Sequence, residues 1–214
     1  LLNFLIDNEK KVVVLSAMSG TTNQLVAIAQ DIANNNPNEA IDKINKLHET
    51  YFETIDKLLI NNSLNNEVKT YVSGVFNLLV ESTYKTFSKT LENQIVAQGE
   101  LLSTYMVNSY LKQENISSTL LPALSFMRID AFNEPDLEYI TKNFNEVLNN
   151  AEDAQIYITQ GFSCLDSNGA VSNLQRGGSD YTATIIGAAI KAEEVQIWTD
   201  IDGMHNNDPR YVEN

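Results

Sequence analysis

The stretch NLQRGGSDYTATIIGAA, from Asn173 to Ala189, sets an Arg, two Gly, a Ser and an Asp in a row before an apolar, helix-like run. A connection into a helix needs one turn residue and one cap, and this stretch holds more. Gly177 and Gly178 let the backbone approach a ligand closely and adopt positive φ. A helix starting just after them aims unpaired N–H groups and a positive dipole end outward, which favours an anion. Arg176 adds a planar fork suited to a carboxylate. Ser179 or Asp180 could supply the N-cap. An ordinary capped helix uses the same residue types, so the stretch alone leaves both readings open.

Other stretches carry comparable chemistry. LSAMSGTTN (Leu15 to Asn23) is a strand-to-helix turn rich in hydroxyls, where Thr21, Thr22 or Asn23 could cap the following helix. GELLST (Gly99 to Thr104) puts Glu100 at a helix start. There it either complements the helix dipole or partners a substrate ammonium group. WTDIDGMHNNDPR (Trp198 to Arg210) places Thr199, Asp200 and Asp202 at a strand end, with His205, Asp208 and Arg210 following. Acidic residues with an Arg could serve a magnesium-nucleotide, although Asp-Gly and Asp-Pro also mark plain turns. No GxxxxGK[ST] is present, which excludes a P-loop nucleoside triphosphatase, and no GxGxxG follows a strand, which disfavours a dinucleotide enzyme. Cys164, the single cysteine, reads as a structural thiol beside a hairpin, and His48 as a surface residue.

These residues must be positioned by longer elements. KVVVLSAM (Lys11 to Met18) reads as a buried strand opening into SGTTN, and NQLVAIAQDIANNN as a helix with Leu25, Ile28, Ala29 and Ile32 on one face, ended by the Asn-Pro segment at 34–38. From Glu39 to Glu92 apolar residues recur at three- and four-residue steps, a pattern of core-packing helices to which no chemistry is assigned. Ala97 to Leu111 reads as a helix, Ser118 to Leu124 as a strand, and the run after Pro135 as a helix. Gln155 to Phe162 is a predicted strand, SCLDSNGAVSNL a hairpin, the run from about Tyr181 a helix, and Glu194 to Gly203 a last strand. Alternating strands and helices predict an α/β fold, a mainly parallel sheet covered on both faces. Ligands in such sheets bind beyond the C-terminal strand ends, which here are SGTTN, QGF and TDIDG.

The 214 residues are 43% hydrophobic, enough for one sizeable core. The net charge of -14 disfavours a nucleic-acid partner, while small anions need only a local patch. One cysteine permits no intrachain disulfide and fits a cytoplasmic location; no Cys/His spacing resembles a zinc site, so no protein-held metal is expected. No apolar run approaches a membrane span. Leu1 opens the chain and DPRYVEN ends it without a closing element, so a piece of a longer protein is expected.

Taken together, VVVLSAMSGTTNQL, GELLST, ITQGF, RGGSDYTA and EVQIWTDIDGMHNNDPR resemble, in order and spacing, the segments of aspartate kinases in the amino-acid-kinase superfamily. The resemblance runs from about Lys11 to Arg210 and is weakest between Glu39 and Glu92. It implies a three-layer α/β/α sandwich of the carbamate-kinase-like kind over residues 1–214, with a helical insert at 39–92. It further implies phosphoryl transfer from ATP to the side-chain carboxylate of L-aspartate, giving 4-phospho-L-aspartate, with Mg²⁺ carried by the nucleotide. By the same resemblance Arg176 would grip the substrate α-carboxylate and Glu100 its ammonium group. Ser16, Thr22, Gly177, Gly178 and Ser179 would line the substrate pocket, and Asp180 would organise the transfer site with Arg176. Thr199, Asp200, His205 and Arg210 would face the nucleotide.

Three departures stand out. The family's K-x-G-G first strand is missing, as are the nucleotide-facing Lys after DPR and two regulatory ACT domains. His205 stands where many members have Tyr. The chain as written is therefore expected to be inactive alone and without feedback inhibition, and the intact protein to be a homodimer. The alternatives are the kinase half of a bifunctional aspartate kinase–homoserine dehydrogenase, and a non-catalytic amino-acid- or nucleotide-binding regulatory module. Relatives acting on glutamate or acetylglutamate share the implied fold. A Glu100–Arg176 pair favours a free α-amino acid over an N-acetylated one.

Overall fold

Three short strands pair as one parallel sheet in the computed structural model, which describes residues 7, 9–174 and 178–199. Strands β1 (Lys11–Leu15), β2 (Ser118–Leu121) and β3 (Ile156–Gln160) lie in the order β1-β3-β2. Val13 and Leu120 both stand opposite Ile158, so the central strand is β3. All five of its residues are buried, as a strand covered on both faces must be.

Alternation along the strands assigns the two faces. Val13, Leu15, Leu120, Ile156 and Ile158 meet Val107 and Leu111 of helix α5 (Gln98–Gln113). Val12, Val14, Leu121 and Tyr157 face the opposite layer, formed by α6 (Leu137–Asn150) and α7 (Gly178–Ile190), whose Ile140, Phe144, Ile185 and Ile186 are buried. The result is the expected α/β/α arrangement.

Helix α1 (Thr21–Ala33) follows β1 and buries Leu25, Ile28, Ala29 and Ile32, the stripe expected from its spacing. Three helices then supply a second core: α2 (Pro37–Leu58), α3 (Asn62–Ser82) and α4 (Lys89–Val96). Their starts follow local rules. Pro37 opens α2, the Asn61 side chain accepts from the N–H groups of Ser63 and Leu64, and the Ser88 hydroxyl accepts from Leu91. Ala40, Ile44, Leu47, Tyr51 and Ile55 of α2 are buried against Val68, Val72, Val75, Phe76 and Leu79 of α3.

The expected hairpin forms from β4 (Ser163–Leu165) and β5 (Val171–Asn173). Asp166 Oδ1 accepts the N–H groups of Asn168 and Ala170, and Gly169 takes the left-handed residue of the turn at φ 82°.

Three local expectations are corrected. Helix α7 starts at Gly178, not near Tyr181, so Ser179 and Asp180 lie inside its first turn and neither is a cap ahead of it. The Thr182 hydroxyl, bonded to the Gly178 carbonyl, secures that extra turn. Residues 194–199 are not part of a strand among the described residues, and 200–203 lie outside them. β-propensity makes a segment compatible with a sheet but does not by itself form a ladder. His48 is partly buried, its ring stacked on Phe76 at 4.5 Å between centroids, because α2 and α3 pack along that face.

Candidate functional site

Three helices begin just beyond the C-terminal ends of β1 and β3. The chain leaves β1 at Leu15 and enters α1 through Gly20, whose φ of 79° requires the left-handed region. The Ser103 hydroxyl, on the first turns of α5, donates to the Ser16 carbonyl at 2.7 Å. Gly99 lets α5 sit against this turn, since a Cβ there would stand 2.8 Å from the Cβ of Ala17. β3 and α7 meet as closely. A Cβ on Gly161 would lie 2.8 Å from the Cα of Ser179, so the glycine after β3 is what admits the start of α7. Thr182 closes this joint, accepting from the Phe162 N–H at 3.1 Å and donating to the Gly178 carbonyl at 2.7 Å. Helix N-termini thus converge where an α/β sheet offers a ligand site.

Glu100 stands in the first turn of α5 and is 3% exposed. Its Oε1 accepts a long bond from the Ala17 N–H at 3.4 Å, while Oε2 is buried with no hydrogen-bond partner among the described residues. Burial pushes its carboxyl up to about 7, against the partial counter-effect of backbone N–H bonds. Packing thus leaves a buried, desolvated carboxyl group uncompensated beside converging helix starts.

Of the other expected site residues, Ser16, Thr22, Gly178, Ser179, Asp180 and Thr199 are among the described residues. Gly178 and Ser179 open α7, with Gly178 buried and Ser179 packed over Gly161. Asp180 is exposed in that first turn, Thr22 is partly buried next to Thr21, and the Ser16 residue is exposed with its carbonyl tied to Ser103. Thr199 is exposed. Arg176, Gly177, Asp200, His205 and Arg210 lie outside the described residues. Cys164 is buried within β4, and burial drives its thiol up to about 12, which suits the structural role expected of it. Among the described residues no group of three or more His, Cys, Asp or Glu side chains could hold a metal ion.

Two buried ties were not anticipated. Gln160, at the end of β3, donates to the Thr104 hydroxyl at 2.9 Å and accepts from the Ala123 N–H at 2.9 Å. Thr104 in turn donates to the Glu100 carbonyl at 2.7 Å, so the sheet end anchors the turn that bears Glu100. The second tie joins the Thr21 hydroxyl to the Tyr51 phenol at 3.1 Å, with both groups buried. The only local signal for the first was Thr104 four residues after Glu100, the spacing of a hydroxyl that bonds back along its helix. Nothing local marks Gln160 or Tyr51, because each partner comes from another element.

Comparison with known proteins agrees with this fold. The chain is 32% identical over 209 residues to lysine-sensitive aspartokinase 3 of Escherichia coli (strain K12), covering 96% of this chain and 46% of that protein. It is 28% identical over 222 residues to a bifunctional aspartokinase/homoserine dehydrogenase of Buchnera aphidicola subsp. Acyrthosiphon pisum, covering 94% of this chain and 26% of that protein. The chain thus spans less than half the length of either relative. The crystal structure of E. coli aspartokinase III in complex with aspartate and ADP superposes with a TM-score of 0.79 at 30% identity, covering 95% of this chain and 45% of that one. The amino acid kinase family model matches residues 2–214, nearly the whole chain, and the chain belongs to the amino acid kinase family.

Proposed function

We propose that this chain carries the substrate site of an aspartate kinase, which transfers a phosphoryl group from ATP to the side-chain carboxylate of L-aspartate. The observation that carries the reading is Glu100. Its buried Oε2 has no partner among the described residues and lies on the rim where α1, α5 and α7 begin, so in this reading it supplies the cation receptor that a free amino acid needs. In this reading Glu100 pairs with the substrate ammonium and Arg176 with its α-carboxylate. Gly178 and Ser179 present the N-terminal turn of α7 to negative charge, and Thr22 and Ser16 line the pocket. Asp180, exposed on that first turn, orders the transfer site.

An acyl phosphate forms by bringing two anions together, so the protein's task is positioning and charge neutralisation. Helix starts and an Arg suit that task. The nucleotide supplies the phosphoryl group and, with it, Mg²⁺; Thr199, Asp200, His205 and Arg210 are the residues proposed to face it. Similarity to the E. coli enzyme, whose complex holds aspartate and ADP, supports both halves of the reading. A cytoplasmic homodimer belongs to the same proposal.

The test uses the full-length protein with Mg-ATP and a panel of amino acids, trapping acyl phosphate with hydroxylamine. Hydroxamate with L-aspartate alone, lost in Arg176→Ala, is the expected result. No product with any amino acid despite ATP binding would replace the enzyme with a binding or regulatory module. The bifunctional relative favours one second reading, a kinase half joined to homoserine dehydrogenase, which a dehydrogenase assay of the same protein decides.

A further inference from the structure

Helix α2 lies in the helical segment to which the sequence assigned no chemistry, yet it sends one polar group toward the site. Tyr51 sits in the middle of α2 and is fully buried. Its ring packs edge-on against Phe76, 5.7 Å between centroids at 60°, and Phe76 is itself stacked on His48. A phenylalanine would fill the same space. The hydroxyl is surplus to packing, and a buried hydroxyl is unfavourable without a partner. Its partner is the Thr21 hydroxyl at 3.1 Å.

Thr21 is the first residue of α1 and is 1% exposed. The helix N-cap is Gly20, which has no side chain to cap with, so α1 starts without a side-chain cap. The Thr21 hydroxyl is engaged instead by the tie to α2. Its methyl branch lies against α5: a Cβ on Gly99 would stand 3.3 Å from Thr21 Cγ2. Gly99 immediately precedes Glu100. Thr21 is therefore a pivot, with its hydroxyl held by α2, its methyl against the first turn of α5, and its chain neighbour Thr22 on the proposed pocket. The proximity is also electrostatic. After burial itself, the charge of Glu100 helps push the Tyr51 phenol up to about 12, while the bond to Thr21 opposes it.

We infer that Tyr51 is a positioning residue for the amino-acid pocket: its bond to Thr21 holds the start of α1 against the start of α5, and so fixes Thr22 relative to Glu100. This inference rests on the proposed amino-acid site. It gives α2 a part in substrate binding through a residue that touches no substrate.

The test is made in the full-length protein. Tyr51→Phe keeps the ring and removes the tie, and is expected to raise KM for the amino-acid acceptor about 3- to 15-fold, the loss of one buried hydrogen bond. KM for ATP and kcat should stay within about twofold. Thr21→Val combined with Tyr51→Phe removes both polar groups, so the thermal midpoint should recover while KM for the acceptor stays raised. An acceptor KM that is unchanged in Tyr51→Phe, or that returns to the wild-type value together with the midpoint in the double variant, overturns the inference. Glu100→Gln separates the two levels. If it raises the acceptor KM and Tyr51→Phe does not, this inference alone fails; if Glu100→Gln leaves the acceptor KM unchanged, the amino-acid site itself is wrong and the inference falls with it.

Discussion

Glu100 shows how burial changes the chemistry of one carboxyl group. Its carboxyl titrates ordinarily near 4.5 and is held at about 7 in the folded chain. Between those values the folded state binds the proton more tightly than the unfolded state does. Stability therefore falls as pH rises through that window, by up to about 3 kcal/mol, and Glu100→Gln should abolish that component. Urea midpoints at pH 5 and pH 8 for both proteins check this. A ligand ammonium reverses the preference by favouring the carboxylate. Amino-acid affinity should then rise from pH 6 to pH 8 in the native protein and stay flat in the variant, as calorimetric titration would show. Cys164 is the opposite case, because its burial meets no such ligand. A thiol pushed up to about 12 and enclosed by β4 should resist alkylation in the native protein and react fully only in denaturant.

At the scale of elements, the site depends on glycines where two pieces of backbone nearly touch. Gly161 follows β3 directly, and the first turn of α7 lies where its side chain would be. Gly161→Ala forces α7 away from the sheet end. It should cost about 1–3 kcal/mol, as overpacking does. Turnover of the full-length protein should fall at least about tenfold, since a small displacement of positioning groups is enough. A steady-state assay beside a denaturation curve separates the two effects. The Gln160–Thr104 tie acts at the same scale, holding the end of β3 to the turn that carries Glu100.

The whole molecule joins a sandwich core to a helical one. Phe126 and Phe144 meet at 4.8 Å and 90° beneath the sheet, both fully buried, and Phe144→Ala should destabilise the fold by about 3–5 kcal/mol in urea titration. The helical core of α1 to α4 reaches the site through α1 and α5, whose Leu25, Leu102 and Met106 belong to that same core. Strain or loss in either core is thus felt at the common rim.

The sequence by itself determined the parts whose causes are local. The β-branched runs at 11–15 and 156–160, the α1 stripe and the Asn-Gly hairpin follow from period, propensity and turn chemistry within a few residues. The placement of SGTTN and QGF at one rim also followed, because the parallel strands at 11–15 and 156–160 end on the same side. Tertiary structure alone decided which groups meet there. Thr21 and Tyr51 are 30 residues apart, and Gln160 and Thr104 are 56 apart. Their hydrogen bonds exist only because helices pack at a particular depth and angle, information that neither residue's neighbours contain. The orphaned oxygen of Glu100 is of the same kind. A helix-start carboxylate is ordinary until packing removes its water, and only the assembled layers do that.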